Sequence, residues 1–243
     1  MQFSAFDFTS QKNVSLRLYL AYRAGLKPNE LDLVVLNVLD QAGWQEFLAT
    51  MRLAFADELK EEQLPAADQS AFDEQRDMFQ SFKWGMAYVA PRGIGPTTWN
   101  QDERKATHIR RRFMLLGQTV DGMRVWDVRR AVQALASVDG LQDVPLWLQA
   151  HRESAGLALY ASLFEPKVSR LDLYELPLSH REGPIFLNVL RYLDMPQAVA
   201  MAAEKSKVRI YDPDPDKWSF AAETAGQLGW EEKQLQIRKP PEE

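Results

Sequence analysis

Short apolar runs and helically spaced segments take turns along this whole chain, and few folds accommodate that order. Leu16, Leu18, Leu20 and Tyr22 alternate with Arg17, Tyr19, Ala21 and Arg23, the period-2 pattern of a half-buried strand, and the turn residues Gly25 to Asn29 follow. Leu31 to Leu39 is nearly all apolar, as a strand covered on both faces requires. Trp44, Phe47, Leu48, Met51, Leu53 and Phe55 then recur at helical spacing, and a second helical segment is expected around Phe72 to Phe82 after the polar stretch Glu58 to Gln69. Trp84 to Ala90 reads as a strand closed by the breaker-rich loop Pro91 to Pro96. Helices are expected over Asp102 to Leu116 and Met123 to Ala136. Further strands are expected at Val144 to Gln149, Val168 to Tyr174, Lys207 to Tyr211 and Leu235 to Ile237. Between them, His151 to Ala155 reads as a turn, Gly156 to Ala161 as a helix whose small residues face a close neighbour, and Met195 to Ala203 as a helix.

Strands that alternate with helices in this way predict an α/β protein with a mostly parallel central sheet and helices on both faces, with room for an antiparallel start. In such sheets ligands sit at the carboxyl ends of the strands. The 243 residues suit one domain, expected over 1–238, with Lys239 to Glu243 as a tail. No repeat or low-complexity tract interrupts it.

Composition removes several chemistries. The chain has no Cys, so thiol nucleophiles, thiolate zinc sites and disulfides are excluded, and no compartment can be read from cysteine usage. Its three His (His108, His151, His180) are isolated in the sequence and lack the spacing of a metal centre, so no metal and no cofactor is expected. Lys and Arg total 29 against 34 Asp and Glu, a balance that argues against nucleic acid as partner, and the run Arg110 to Arg112 beside His108 reads as a solvated helix face. The first residues lack a basic segment followed by an apolar one, and no apolar run approaches the roughly 18 residues of a membrane span. The chain as given therefore reads as soluble, without a signal peptide and without a membrane partner.

The stretch Val144 to Ala161 resembles the strand, elbow and helix of the α/β-hydrolase fold. Pro91-Arg92-Gly93-Ile94-Gly95 resembles the post-strand loop that often reads D-x-R-G-x-G in acetyl xylan esterase and dienelactone-hydrolase-like members. Asp121 to Ala131 resembles the helix before their nucleophile strand, and Asp194 to Ala200 the segment leading to their penultimate core strand. The resemblance covers roughly residues 14 to 230 in order. It implies an esterase-like fold, with a small-molecule or carbohydrate ester as the class of ligand. Because chains of this kind occur as one half of a longer exported hydrolase, it also implies a second hydrolase domain as a conceivable partner. Fold does not fix function, so the site has to be read separately.

Working members place Ser at the elbow as G-x-S-x-G, since the sharp turn tolerates only small neighbours. Two registers fit here. Matching strand and helix lengths puts Ala150-His151-Arg152-Glu153-Ser154 on the motif and Arg152 at the nucleophile position, where a guanidinium cannot act. Sliding by two residues gives Arg152-Glu153-Ser154-Ala155-Gly156, which keeps Ser154 but crowds the turn. The length match favours the first register, and in it the carboxylate of Glu153 sits beside the N–H that would hold an oxyanion.

The remaining machinery departs from the pattern too. The fold orders its triad Ser, acid, His, with the His after the last strand, and no His follows His180. Asp212, with Asp214 and Asp216, stands where the acid is expected, or forms an exposed acidic turn with Pro213 and Pro215. The loop that often reads H-G-G and supplies an oxyanion donor is Leu39-Asp40-Gln41-Ala42-Gly43. Two functional expectations follow. In the leading one the triad is lost and the chain is a binding or accessory domain, with His151, Arg152, Glu153 and His180 on a polar rim for a small or carbohydrate-like anionic ligand and Trp99 able to stack on a sugar or acyl group. The alternative is an active esterase in which Ser154 attacks, His180 is the base and Asp212 the acid.

Overall fold

In the computed structural model the described residues are 1–60, 62–100 and 102–240, with Glu103 described by its backbone alone. Pro241, Glu242 and Glu243 of the expected tail therefore lie outside the described residues. Eight strands form one sheet: β1 (Gln2–Gln11), β2 (Val14–Tyr22), β3 (Leu33–Val38), β4 (Trp84–Val89), β5 (Leu146–His151), β6 (Val168–Tyr174), β7 (Lys207–Tyr211) and β8 (Leu235–Arg238). Their spatial order is β1-β2-β4-β3-β5-β6-β7-β8. β2 runs antiparallel to both β1 and β4, and every pair from β4 to β8 is parallel.

The helices are α1 (Gln41–Phe55), α2 (Gln69–Ser81), α3 (Glu103–Leu115), α4 (Val120–Ala136), α5 (Arg152–Ser162), α6 (Met195–Ala203) and α7 (Ser219–Gln227). Short polar side chains start most of them by accepting a first-turn N–H: Asp40 from Gly43, Asp68 from Ala71, Asp102 from Lys105 and Thr119 from Gly122. Asp194 and Gln197 cap α6 reciprocally. α5 has no side-chain cap at all.

Two apolar clusters fill the layers. One joins Leu36, Leu148, Leu171 and Ile210 of the sheet to Val128, Leu159 and Val199 of α4, α5 and α6. The other sets Trp44, Phe47 and Met51 of α1 and Phe79 of α2 against Tyr19 and Ala21 of β2. α5 lies so close to the segment before α6 that a Cβ on Gly156 would stand 2.5 Å from Pro184 Cδ, which identifies the close neighbour its small residues face. None of the helices among the described residues is long and apolar enough to cross a membrane.

The chain departs from the sequence reading in three places. β1 was not expected. From Ser4 to Gln11 its residues alternate between inward and exposed, but Phe6 and Phe8 are the only large apolar side chains on the inward face and Phe3 packs into the α1 cluster on the other, so the period-2 signal is weak. The turn expected over His151 to Ala155 is compressed into Arg152 alone, because β5 runs on to His151 and α5 begins at the next residue. The third is α7, an unanticipated helix that buries only Ala221.

Candidate functional site

The carboxyl ends of β3, β4 and β5 open into a cleft walled by the loop after β4, the start of α4 and the start of α5. Its main cavity, of about 740 Å³, is lined by Asp40, Gln41, Asn100, Arg124 and Glu153 among others. A side cavity of about 150 Å³ brings in Trp99 and Arg110 beside Arg124 and Glu153. A third, of about 40 Å³, adds Ser154, Asp121 and Pro184. Gly93 and Gly95, both at positive φ, let the loop after β4 pass close by: a Cβ on Gly95 would meet the Trp44 ring at 2.8 Å.

Arg152 makes the turn from β5 into α5. Its φ is +53°, the left-handed conformation that an L side chain adopts at a cost of roughly 1 kcal/mol, and only a residue over-determined by its surroundings stays there. What holds it is the first turn of α1. Arg152 Nε donates to Asp40 Oδ2 at 2.8 Å and Nη2 to Asp40 Oδ1 at 3.0 Å, with Glu46 3.6 Å from Nη2. Asp40 is at the same time the N-cap of α1, accepting from Gly43 N–H at 2.7 Å. Burial pushes the Asp40 carboxyl up, but the hydrogen bonds from Arg152 and Gly43 outweigh it and hold the group below its ordinary value. Arg152 on the β5–α5 turn and Asp40 on the β3–α1 loop are thus joined as an ion pair.

The other predicted residues are scattered. Ser154, two residues into α5, is fully buried, and its Oγ has no hydrogen-bond partner among the described residues. His180 is buried in the loop that leads from β6 to α6, where Nδ1 lies 2.7 Å from Pro184 O and Nε2 2.6 Å from Tyr160 Oη. A carbonyl only accepts, so Nδ1 carries the proton and Nε2 accepts from the tyrosine hydroxyl. Burial raises the Tyr160 pKa, which keeps that hydroxyl protonated. The expected Ser154–His180 hydrogen bond is therefore not formed, since both ring nitrogens are engaged elsewhere. Asp212 is buried, not part of an exposed turn: Oδ2 accepts from Trp218 Nε1 at 3.0 Å and Oδ1 from Asp214 N–H at 2.8 Å. Only Asp214 and Asp216 are exposed as that turn predicts.

The polar rim expected from His151, Arg152, Glu153 and His180 is likewise split. His151 stacks flat on Tyr174, with ring centroids 4.4 Å apart, and with Arg152 it lines a separate cavity of about 470 Å³ against α1 and α2. Glu153 alone of the four lines the main cleft, where it is joined by Trp99, 44% exposed, with its ring tilted at 34° to that of Phe113.

Two cleft residues escaped the sequence reading. Arg124 belongs to α4 and donates from Nε to the Arg92 carbonyl at 3.0 Å, which the close-passing glycine loop makes possible. Its i,i+3 partner Asp121 sits 3.4 Å from Nη1 and accepts from Ile185 N–H at 2.8 Å. Beneath them Arg92 and Asp127 form a fully buried pair, Nη2 to Oδ1 at 2.5 Å, tied to Ser10 of β1. The only signals were the Asp121–Arg124 spacing and two glycines after a strand, both common elsewhere.

Solved structures share this architecture. A Bacteroides fragilis protein named as an acetyl xylan esterase superposes with a TM-score of 0.69 at 11% identity, over 98% of this chain and 65% of its own. A Klebsiella pneumoniae protein named as a dienelactone hydrolase gives 0.56 at 12% identity, over 99% and 87%. An acylaminoacyl peptidase of Pyrococcus horikoshii gives 0.60 at 13% identity, over all of this chain and 37% of the peptidase. No protein-family model and no curated protein sequence matches the chain. The chain has an α/β-hydrolase-like fold, and it spans about two thirds of the length of the Bacteroides protein.

Proposed function

We propose that this chain is a binding or accessory member of the α/β-hydrolase-like fold, in which the ester-cleaving site has been given up and the cleft holds a small polar or carbohydrate-like ligand. One observation carries the reading: the left-handed elbow residue is Arg152, chelated by Asp40 from the neighbouring loop. A guanidinium is no nucleophile at any accessible pH. A carboxylate where an oxyanion donor is needed opposes the charge that acyl transfer develops. The cleft retains the features of ligand recognition, a concave volume of about 740 Å³ with a few polar groups and an aromatic rim in Trp99. Its resemblance to two thirds of a longer esterase-like chain is compatible with service beside a second hydrolase domain.

The test is hydrolysis of p-nitrophenyl acetate by the purified chain and by Ser154→Ala and His180→Ala. The expected result is no turnover above buffer that either substitution removes. Turnover abolished by both would instead establish the esterase with Ser154 as nucleophile and His180 as base, and would overturn the binding reading. In that mechanism His180 would first have to leave Tyr160.

A further inference from the structure

Resting on that reading, the geometry points to a ligand class: we infer that the cleft takes a hydroxylated monocarboxylate, a sugar acid, whose carboxylate lies on Arg124 and whose ring lies against Trp99. Arg124 is only 16% exposed, yet its guanidinium is half-satisfied. Nε is spent on the Arg92 carbonyl, Nη1 makes one long contact to Asp121 at 3.4 Å, and Nη2 has no hydrogen-bond partner among the described residues. Asp121 is itself held by Ile185 N–H. Nη2 is not sealed from solvent, so its free donors open onto the cleft, where a ligand carboxylate can accept from them. Arg124 lines all three cavities of the cleft, so its free edge faces the space a ligand would enter.

A second, independent observation lies beside it. Ser154 is fully buried, its Oγ has no hydrogen-bond partner among the described residues, and it lines the smallest cavity together with Arg124. It sits in the first turn of α5, a helix without a side-chain cap whose first N–H groups are therefore left to other acceptors. A planar carboxylate can take the guanidinium fork with both oxygens and leave a lone pair for the serine hydroxyl. Charge sets the limit on what fits. Three carboxylates, Asp121, Glu153 and Glu182, line the same small cavity against two cations, Arg110 and Arg124, so the cavity carries net negative charge and a dianionic phosphate meets more repulsion than a monoanion does. The rest of the cleft suits hydroxyls and a C–H ring face: Glu153 and Asn100 line both larger cavities, and Trp99 the side one.

The experiment titrates the intact chain with D-glucuronate and with D-glucose, followed by calorimetry and by amide chemical shifts. The two differ only in the carboxylate. Glucuronate is expected to bind about tenfold or more tightly, the worth of a charge-assisted hydrogen-bond pair. Arg124→Gln should bring the two affinities together. Arg124→Lys keeps a buried cation but loses the fork, and should fall between. Trp99→Ala, at an exposed position, should weaken both sugars alike, which keeps the inference testable should Arg124→Gln fail to fold by circular dichroism. Equal binding of both sugars, or a preference that survives Arg124→Gln, would overturn the sugar-acid assignment and leave the binding reading standing. No saturable binding of either sugar would also overturn it, whereas the binding reading itself falls only to ester turnover that depends on Ser154.

Discussion

Two arginine–aspartate pairs flank the cleft, joined by nearly the same bonds and separated chiefly by burial. In the first, Arg92 and Asp127 have side chains 6% and 0% exposed, and Asp127 also accepts from Ser10 Oγ at 2.5 Å and from the Arg92 N–H at 3.0 Å. That carboxylate ties α4 to β1 and to the loop after β4, and it has no water to fall back on. In the second, Arg152 and Asp40 are 34% and 13% exposed, and solvent can replace much of what either loses. Burial thus turns one pair into a structural tie and leaves the other as a half-exposed link between the β5–α5 turn and the start of α1. The first sets the shape of the cleft; the second fixes the turn at its edge.

The largest effect should come from breaking the buried pair. Asp127→Ala leaves an uncompensated guanidinium beneath the cleft and is expected to cost about 3–5 kcal/mol in urea unfolding. A loss under about 1 kcal/mol would erase the distinction between the pairs. At the elbow the two partners should behave differently from each other. Asp40→Ala removes a helix cap together with the ion pair, and should cost about 1–2 kcal/mol. Arg152→Ala removes only the half-exposed pair and should stay within about 1 kcal/mol of the parent. Equal losses at Asp40 and Arg152 would mean that the pair, rather than the cap on Gly43, carries the stability there.

The same contrast explains what could be read in the sequence. β6, β7 and α6 end where their patterns predict, at Val168 and Tyr174, Lys207 and Tyr211, Met195 and Ala203, because their apolar residues face one deep cluster with little competition. The nucleophile register was open because spacing alone fits Arg152 or Ser154. The left-handed residue of the β5–α5 turn is Arg152, a backbone property that residue type does not announce for a non-glycine. Asp40 was legible as a departure from an oxyanion loop, but not as the partner of Arg152, 112 residues away. Arg124 was hidden for a related reason: on its own helix it pairs at i,i+3 like any solvated arginine, and only the approach of the loop at Gly93 buries it. Contacts between elements distant in sequence set the chemistry of this cleft, and periodicity does not report them.

The smallest effect, and the finest probe of the half-exposed link, is the titration of His151. Burial, with Arg152 next to it, lowers the His151 pKa below its ordinary value near 6.5, against the opposing pull of Glu46, Asp40 and Glu175. The unfolded chain then binds this proton more readily than the folded one, so the stability from keeping His151 neutral is complete above roughly pH 6.5 and is lost as pH falls through the folded value. Asp40 acts in a lower window: its contribution is present above about pH 4, the unfolded value, and fades as pH falls through its depressed folded one. His151→Phe retains the stack on Tyr174 and removes the proton, so its stability should fall less steeply than the parent's across the His151 window and run parallel to it at lower pH, through the Asp40 window. Arg152→Ala should move the His151 ring resonances to a higher titration midpoint by NMR. A midpoint left unchanged would show that the Arg152 guanidinium is too well hydrated to be felt one residue away, and the elbow pair would then be more open than its 2.8 Å bond to Asp40 implies.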